Sequence, residues 1–309
     1  MWLTEMPQVS VIVPNFNHAP YLRQRLDSIL EQTFQDFELI VIDDCSTDNS
    51  REVMEAYRNH PKVSRIVYNE QNSGSAFRQW VKGITLAQGE WVWIAESDDW
   101  AEPTFLETMM RAVTDNPTCG LAYCWSYRTD DQGKLLWEVP DKKEVKGYRG
   151  EEFIREKLLL SNVIVNVSAC IFKRELFQPE RVSLYENMRL CGDWLFYVLQ
   201  AEQANVVAVK SPLNYCRRHG TNISESAEAK GLTFLEGVSV LDYIVEHYQI
   251  RSRDYARFWG RQWAKYSRIW SFSEETNSAI CRRFREKYKA VIAYYEIYRL
   301  RNLFRKCQE

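Results

Sequence analysis

Apolar residues over the first 125 positions follow two alternating patterns. Four short runs are mostly apolar and rich in β-branched residues, which is typical of strands buried on both faces of a sheet. These runs are residues 9–13, 37–42, 63–68 and 91–95. Each is followed by a stretch whose apolar residues recur at the three- and four-residue spacing of a helix face. These stretches are residues 19–33, 48–57, 75–87 and 103–113. Four strand–helix units in succession predict an α/β fold with a mainly parallel sheet and helices on both faces.

The rest of the chain changes from an irregular pattern to a purely helical one. In the middle, the pattern predicts strands at 121–125, 135–139 and 167–172, helices at 153–160 and 194–203, and two short strands within 204–217. Three helices are then predicted at 228–248, 253–271 and 275–306. This change places a domain boundary near residue 225. It separates a first domain, 1–225, from an all-helical C-terminal extension, 226–309.

Composition excludes several classes of protein. The chain has 309 residues, of which 45% are hydrophobic and 27% charged, and this ordinary globular composition excludes disorder and fibrous repeats. A net charge of −2 is not that of a polyanion binder, so we expect no nucleic-acid partner. The N-terminus lacks signal-peptide features, no apolar run reaches the ~20 residues of a membrane span, and the eight Cys form no C-x-x-C pair. We therefore expect a cytoplasmic protein with reduced thiols.

Charge is unevenly distributed along the chain. Residues 251–309 contain 15 Lys and Arg against 6 Asp and Glu, a net charge of +9, whereas residues 1–250 carry −11. The same segment contains 13 aromatic residues. Basic, aromatic-rich helices can lie on anionic membranes, so one interpretation is peripheral contact with the cytoplasmic face of a membrane. The alternative is a helical appendage that packs on the first domain and exposes a basic face.

Acidic residues follow two of the predicted strands. Asp43 and Asp44 come after the second strand, and Glu96, Asp98 and Asp99 come after the fourth. Because the carboxyl ends of parallel strands share the edge of the sheet where ligands bind, we expect both groups in one crevice. Neighbouring carboxylates repel one another unless a cation or donor groups neutralise them, which indicates a divalent metal and a phosphate-bearing substrate. The alternative is helix capping, which explains one acid better than three.

Four motifs stand in order around these strands. They are P-x-F-N at 14–17, D-D-x-S-T-D at 43–48, N-x-G-x-x-x-R at 72–78 and S-D-D at 97–99. In combination they resemble the family 2 glycosyltransferases, densely over about 8–115, more thinly to about 225, and not beyond. The resemblance implies the Rossmann-like GT-A fold, with a nucleotide-sugar half at about 1–118 and an acceptor half at about 119–225.

The resemblance also implies roles for the residues of these motifs. The residues implied to bind the nucleotide sugar are Pro14, Asn17, Asp44, Arg78 and Asp98. Asp44 would accept a hydrogen bond from the base, and Asp98 would lie beside the ribose. Asp99 would ligate the Mn²⁺ or Mg²⁺ ion that bridges the diphosphate and neutralises the leaving group. Glu96 stands where relatives often have Asp, and is a secondary candidate.

A basic stretch at 215–224 is similar to a segment that contains Tyr, Arg and His in many relatives. By that similarity, His219 would ligate the metal or touch the diphosphate. Arg217 and Arg218 are secondary candidates for pairing with phosphate. The alternative is a basic loop with an ordinary histidine.

Asp193 is the candidate general base. It heads a predicted helix, so the sequence alone is equally compatible with an N-cap. By the resemblance, Asp193 would deprotonate the acceptor hydroxyl during a single displacement with inversion. Relatives often have Glu-Asp here, whereas this chain has Gly192 before the Asp. Four tryptophans are candidates for an acceptor-sugar platform, although a core role is the default for each: Trp100, Trp125, Trp137 and Trp194. We favour Trp194 because it follows the base.

The sequence therefore predicts a metal-dependent inverting glycosyltransferase of bacterial polysaccharide or glycan assembly. The donor is expected to be a UDP-sugar, with a dTDP-sugar next, and the acceptor a hydroxyl of a glycan or lipid-linked saccharide. One alternative is an inactive scaffold that binds a sugar or nucleotide. The other is a nucleotidyltransferase with a related sheet, although such an enzyme would need a glycine-rich loop where 14–18 has no glycine.

Overall fold

The computed structural model describes residues 6–220, 231–266 and 273–287. Its first part contains β1 (Val9–Asn15), α1 (Ala19–Leu30), β2 (Phe37–Asp43), α2 (Ser50–Glu55), β3 (Val63–Tyr68), α3 (Ala76–Leu86), β4 (Trp91–Ile94), β5 (Trp100–Ala101) and α4 (Phe105–Thr114). Its second part contains β6 (Cys119–Thr129), β7 (Val145–Tyr148), α5 (Gly150–Phe153) with a π-helical continuation at Ile154–Leu158, β8 (Cys170–Lys173), α6 (Gly192–Ala201) and β9 (Asn205–Arg217). Three further helices are α7 (Leu232–His247), α8 (Ser252–Tyr266) and α9 (Glu274–Glu286).

The described strands form one mixed, mostly parallel sheet. Its order is β3-β2-β1-β4-β8-β6-β9-β5, and β7 also pairs with β9. β1 lies parallel to β2 and β4, and β2 lies parallel to β3. β8 runs antiparallel between β4 and β6, and β6 lies parallel to β9. The predicted α/β sheet is therefore confirmed. Since β1 is flanked by β2 and β4, the acidic residues that follow β2 and β4 emerge at the same edge.

The central strands are buried on both faces, as their near-continuous apolar runs require. On one face, Ile12 and Ile40 share a core with α3 and α6. On the other face, Val11 and Val41 share a core with α1 and α4. Helix α3 approaches β1 so closely that a Cβ at Gly83 would lie 2.3 Å from Ile12 Cγ2. The two-sided packing holds the carboxyl ends of β1, β2 and β4 in fixed positions.

Several predicted details of the middle are wrong. Residues 135–139 form no strand, because Leu135 makes only an isolated bridge to Thr129, and Trp137 is 50% exposed. The two strands predicted within 204–217 are one strand, β9, whose pairing with β6 shifts register near Pro212. The strand predicted at 167–172 begins only at Cys170. The short strands β5 and β7 were not predicted. These errors share a cause, since apolar spacing does not show whether a partner strand is available.

The described part of the C-terminal extension packs on α6. Phe234, Trp259 and Phe284 are buried in the same core as Trp194. The predicted boundary near residue 225 falls in 221–230, outside the described residues. Much of the aromatic-rich basic segment, at 267–272 and 288–309, also lies outside them. Among the helices that the structure describes, none is long and apolar enough to cross a membrane.

Candidate active site

The acidic motif after β4 is largely desolvated. Glu96 accepts a hydrogen bond from Trp80 Nε1 at 2.8 Å, and burial, reinforced by the charge of Asp98, raises the pKa of Glu96 to about 8. Asp99 is 3% exposed and accepts from the backbone N–H of Arg217 at 3.0 Å and from the Asn166 side chain. Burial, together with the charge of Asp98, raises the pKa of Asp99. It is therefore unfavourable for all the carboxylates of this motif to be ionised at the same time.

Asp98 differs from its neighbours because two histidines face it. His219 Nε2 lies 3.0 Å from Asp98 Oδ2, and His18 Nδ1 lies 2.8 Å from the Ser97 hydroxyl. Burial opposes the ionisation of Asp98, but the hydrogen bond from His219 and the charges of both histidines hold the pKa of Asp98 below its ordinary value. Burial lowers the pKa of His18 despite the opposing charge of Asp98.

Among the described residues, His18, Asp98 and His219 form a cluster that could hold a metal ion. Their ligand atoms all lie within 4.8 Å of one another. The sequence paired His219 with Asp99, whereas the structure places His219 against Asp98. Nothing in the sequence singled out His18 as a partner of these residues, since it lies 79 positions before Ser97.

Arg217 holds the acidic motif in place. Its guanidinium donates to the Asp98 carbonyl at 3.0 Å, to the Asp131 carbonyl at 2.6 Å and to Gln24 Oε1 at 2.6 Å. It also lies between the rings of Tyr21 and Trp100, 4.8 and 4.5 Å from their centroids. Arg217 is only 5% exposed. The structure thus assigns Arg217 to shaping the site and corrects its interpretation as a phosphate partner.

Arg218, by contrast, is exposed beside the cluster. Its backbone N–H donates to the Thr129 carbonyl at 2.9 Å, which fixes its position at the end of β9. Of the two arginines, Arg218 is therefore the one whose side chain is accessible to a ligand.

Asp44 organises the loop that precedes α3. Its carboxylate, 4% exposed, accepts from Asn69 Nδ2 at 2.7 Å, from Gln79 Nε2 at 2.9 Å and from the Ser73 N–H and hydroxyl at 2.9 and 2.8 Å. Arg78 binds the same loop through the Ser73 carbonyl at 2.9 Å. The predicted nucleotide residues Asp44 and Arg78 are thus joined through one turn.

Pro14 and Asn17 lie at the end of β1. Pro14 is buried and pairs in register with Ile42. Asn17 has a positive φ of 57°, and its Oδ1 accepts from the N–H groups of Thr47 and Asp48 at 2.8 and 3.3 Å. Asn17 therefore ties the loop after β1 to the loop after β2, next to the predicted base pocket.

Asp193 lies in the first turn of α6, whereas the N-cap position belongs to Cys191. Its carboxylate accepts from Asn162 Nδ2 at 2.9 Å and from the Trp194 N–H at 2.7 Å. Burial is the main cause that raises the pKa of Asp193 to about 7. A carboxylate with a pKa near neutrality is suited to proton abstraction.

The preference for Trp194 as a sugar platform is wrong. Its indole is 6% exposed, and Nε1 donates to the Leu158 carbonyl at 2.9 Å inside the core. Trp100 stacks on Tyr215 with a centroid distance of 4.6 Å. Trp137 is the most exposed of the four candidates.

Arg25 is a residue of the site that sequence reasoning missed. It is fully buried beneath the acidic motif, where Nε donates to the Glu96 carbonyl at 2.8 Å. Its guanidinium lies 5.4 Å from the Trp93 ring centroid, and its two terminal nitrogens have no hydrogen-bond partner among the described residues. Burial lowers the pKa of Arg25 to about 10, against the opposing charges of the motif. Its position beside Leu26, on the apolar face of α1, was the available signal.

This fold is that of the GT-A glycosyltransferases. A crystal structure of S. aureus TarS 1-349 in complex with UDP-GlcNAc matches it with a TM-score of 0.64 and 23% sequence identity, over 83% of this chain and 73% of that one. The family model described as Glycosyl transferase family 2 matches residues 10–179, more than half of the chain.

Sequence relatives agree with this assignment. Glycosyltransferase GlyG of Streptococcus pneumoniae serotype 4 is 37% identical over 233 residues, which span 70% of this chain and 72% of GlyG. EpsH of Bacillus subtilis is 29% identical over 234 residues, and the match spans 73% of this chain but 65% of EpsH. The chain therefore belongs to glycosyl transferase family 2, and the predicted family and enzyme class are confirmed.

Proposed function

We propose that this chain transfers a sugar from a nucleotide-diphosphate donor to a hydroxyl of a glycan or lipid-linked acceptor, with inversion. The observation that carries the proposal is the segment 162–166. It binds Asp193 through Asn162 and the acidic motif through Asn166. One short segment thus holds a separate carboxylate of raised pKa beside a charged donor site. Single displacement needs these two functions, a base for the acceptor and stabilisation of the leaving group.

Each residue of the site has a separate proposed role. Asp193 takes the proton from the acceptor hydroxyl at its carboxylate oxygen as that hydroxyl attacks the anomeric carbon. Arg218 pairs with the diphosphate that departs from the opposite side. Asp44 and Arg78 hold the loop at the base pocket. A UDP-sugar is the proposed donor, with a dTDP-sugar next, and the UDP-GlcNAc in the TarS complex supports the first. Trp137 replaces Trp194 as the proposed acceptor contact because it is accessible.

The residues of the cluster fit a divalent cation. Two imidazoles and one carboxylate supply mixed nitrogen and oxygen ligands, which suit Mn²⁺ better than Mg²⁺, whose ligands are usually oxygens. His18, Asp98 and His219 would hold the ion, and Asp99 remains a predicted ligand from the sequence. When bound, such an ion neutralises the developing charge on the diphosphate.

We also propose the domain division predicted from the sequence. Residues 1–225 would form the catalytic domain, with a nucleotide-sugar half at about 1–118 and an acceptor half at about 119–225, followed by the extension 226–309. The order of the longer strands supports the halves, since β1 to β4 form one side of the sheet and β6 to β9 the other, whereas the two-residue strand β5 of the first half pairs with β9.

Calorimetric titration of the full chain tests the donor and the metal together. UDP, UDP-GlcNAc, dTDP and GDP are titrated with Mn²⁺, with Mg²⁺ and with EDTA. We expect UDP and UDP-GlcNAc to bind only with a divalent ion. Asp98→Asn and His219→Gln should lose that dependence, whereas Asp115→Asn, which changes an exposed carboxylate, should match the wild type. Equal binding with EDTA would contradict a metal-dependent site, and preference for dTDP or GDP would contradict the proposed donor.

A further inference from the structure

Glu236, on α7 of the C-terminal extension, binds three consecutive backbone amides. Its Oε1 accepts from the N–H of Arg189 at 2.8 Å, and its Oε2 accepts from those of Leu190 at 2.8 Å and Cys191 at 2.9 Å. Successive N–H groups that converge in this way form a concave anion site, and a carboxylate acceptor makes each bond charge-assisted. These three residues directly precede α6, and Asp193 follows two positions after Cys191.

Other contacts of α7 close around the same segment. Cys191 Sγ lies 3.7 Å from the Thr233 carbonyl, one turn before Glu236. A Cβ at Gly237 would lie 3.3 Å from the ring of Trp194, so the helix approaches the residue after Asp193 closely. The first turns of α7 therefore contact the chain on both sides of Asp193.

The opposite end of this segment is attached to the donor side of the site. The Ser75 hydroxyl donates to the Glu186 carbonyl at 2.7 Å, and Arg78 Nη2 donates to Asn187 Oδ1 at 3.1 Å. Residues 186–191 thus run from the loop that surrounds Asp44 to the carboxylate on α7. Without Glu236, the donor-side end would stay anchored, and the three amides before the base would lose their acceptor.

The negative charge of Glu236 favours Asp193 as a base, in addition to the hydrogen bonds through which Glu236 positions the segment. The positive end of a helix dipole favours an ionised carboxylate in the first turn, which would weaken Asp193 as a base near neutral pH. Glu236 places a negative charge at that same end and, after burial, contributes to the raised pKa of Asp193. Besides Glu236, Asp193 faces the amide of Asn162, the Trp194 N–H and the buried side chains of Tyr197 and Cys170.

We propose that Glu236 is a positioning residue, through which the C-terminal extension holds the segment 189–193 in the place that the general base requires. The proposal rests on the proposed role of Asp193. It gives the extension a function in the reaction itself, because the catalytic segment is incomplete without a side chain from α7.

The test compares Glu236→Gln with Glu246→Gln in the full chain. Glu246 is an exposed residue of the same helix, so the control removes the same charge away from the segment. Amide hydrogen exchange of 189–191 needs no donor and reports the anchoring directly. We expect exchange roughly 10- to 100-fold faster in Glu236→Gln, because Gln removes the charge and replaces one of the two acceptor oxygens with an NH2 donor, and no change in the control. Glu236→Asp, which keeps the charge, should recover part of the protection.

Hydrolysis of UDP-GlcNAc, the probe donor, to UDP and GlcNAc, with water as the acceptor that Asp193 deprotonates, reports the catalytic consequence. We expect Glu236→Gln to lower kcat by up to about 100-fold with KM within about twofold, and the acidic limb of the kcat profile to move to lower pH. Faster exchange with an unchanged kcat and pH profile would reduce Glu236 to a structural role, and unchanged exchange would overturn the proposal. If Asp193→Asn turns over like the wild type, the base assignment itself fails. If Asp193→Asn is inactive while Glu236→Gln matches Glu246→Gln, only the positioning role fails.

Discussion

Replacing Asp193 with Asn tests whether the pKa of the proposed base is raised. The change keeps the size of the side chain and removes its charge. Burial raises the pKa of Asp193 from the usual 3.8 to about 7 in the folded protein. Between these values the folded state holds a proton that the unfolded state has released. The stability that this proton confers is fully present below pH 3.8 and is lost as the pH rises to about 7.

The size of the effect follows from this interval. Between pH 3.8 and about 7, at ~1.36 kcal/mol per pH unit, the unfolding free energy of the wild type falls by up to about 4 kcal/mol. Asp193→Asn has no carboxyl group at this position, so its unfolding free energy does not fall for this reason. The fall in the wild type is an upper limit, because Asp193 is partly solvent accessible. The variant also loses the acceptor for Asn162 Nδ2, at a cost of about 1 kcal/mol that does not depend on pH. We therefore expect Asp193→Asn to be slightly less stable than the wild type near pH 4 and more stable above pH 7.

Urea unfolding at pH values between 4 and 8.5 measures this difference. Asp115→Asn is the control, since it changes an exposed carboxylate in the same way. Turnover of Asp193→Asn should fall by roughly 10²- to 10⁴-fold, the usual effect of a lost general base. The variant would thus gain stability at pH 8 and lose activity. A constant stability difference between pH 4 and 8.5 would refute the raised pKa, and normal turnover would refute the role as base.

Three further substitutions test the charge and packing around the site. Arg25→Met removes the buried cation beneath the acidic motif and should lower the unfolding free energy, measured by urea unfolding, by about 3–5 kcal/mol. Arg25→Lys should give an intermediate value. An unchanged unfolding free energy in Arg25→Met would contradict the role of Arg25 as a counter-charge to the motif. Gly83→Ala places a methyl group 2.3 Å from Ile12 Cγ2 and should cost about 1–3 kcal/mol, whereas Gly147→Ala, with its nearest contact at 3.6 Å, should cost less. Arg218→Ala should weaken UDP binding roughly 10- to 100-fold by calorimetry without moving the thermal midpoint, and unchanged affinity would remove Arg218 from the phosphate site.

The first half of the fold was predictable because its signals are local. A strand buried on both faces must be apolar at nearly every position, and β1 and β2 show this directly in their sequence. The order of the motifs also placed Asp98 and Asp99 at the end of β4. The middle was less predictable, since 135–139 has the composition of a strand but no neighbour with which to pair, apart from one bridge.

By itself, the sequence determined the α/β architecture, the family and the set of carboxylates at the strand ends, because each depends on short-range patterns. Only the tertiary structure decided the burial and the charged neighbours of those carboxylates, and therefore their pKa values. It placed His219 on Asp98, 121 positions away, and buried Arg25 beneath the motif. It also brought Glu236 to the amides before Asp193, 45 to 47 positions earlier in the chain. The free energy of a charge depends on its burial and on its neighbours in space, and neither is encoded in the spacing of residues along the chain.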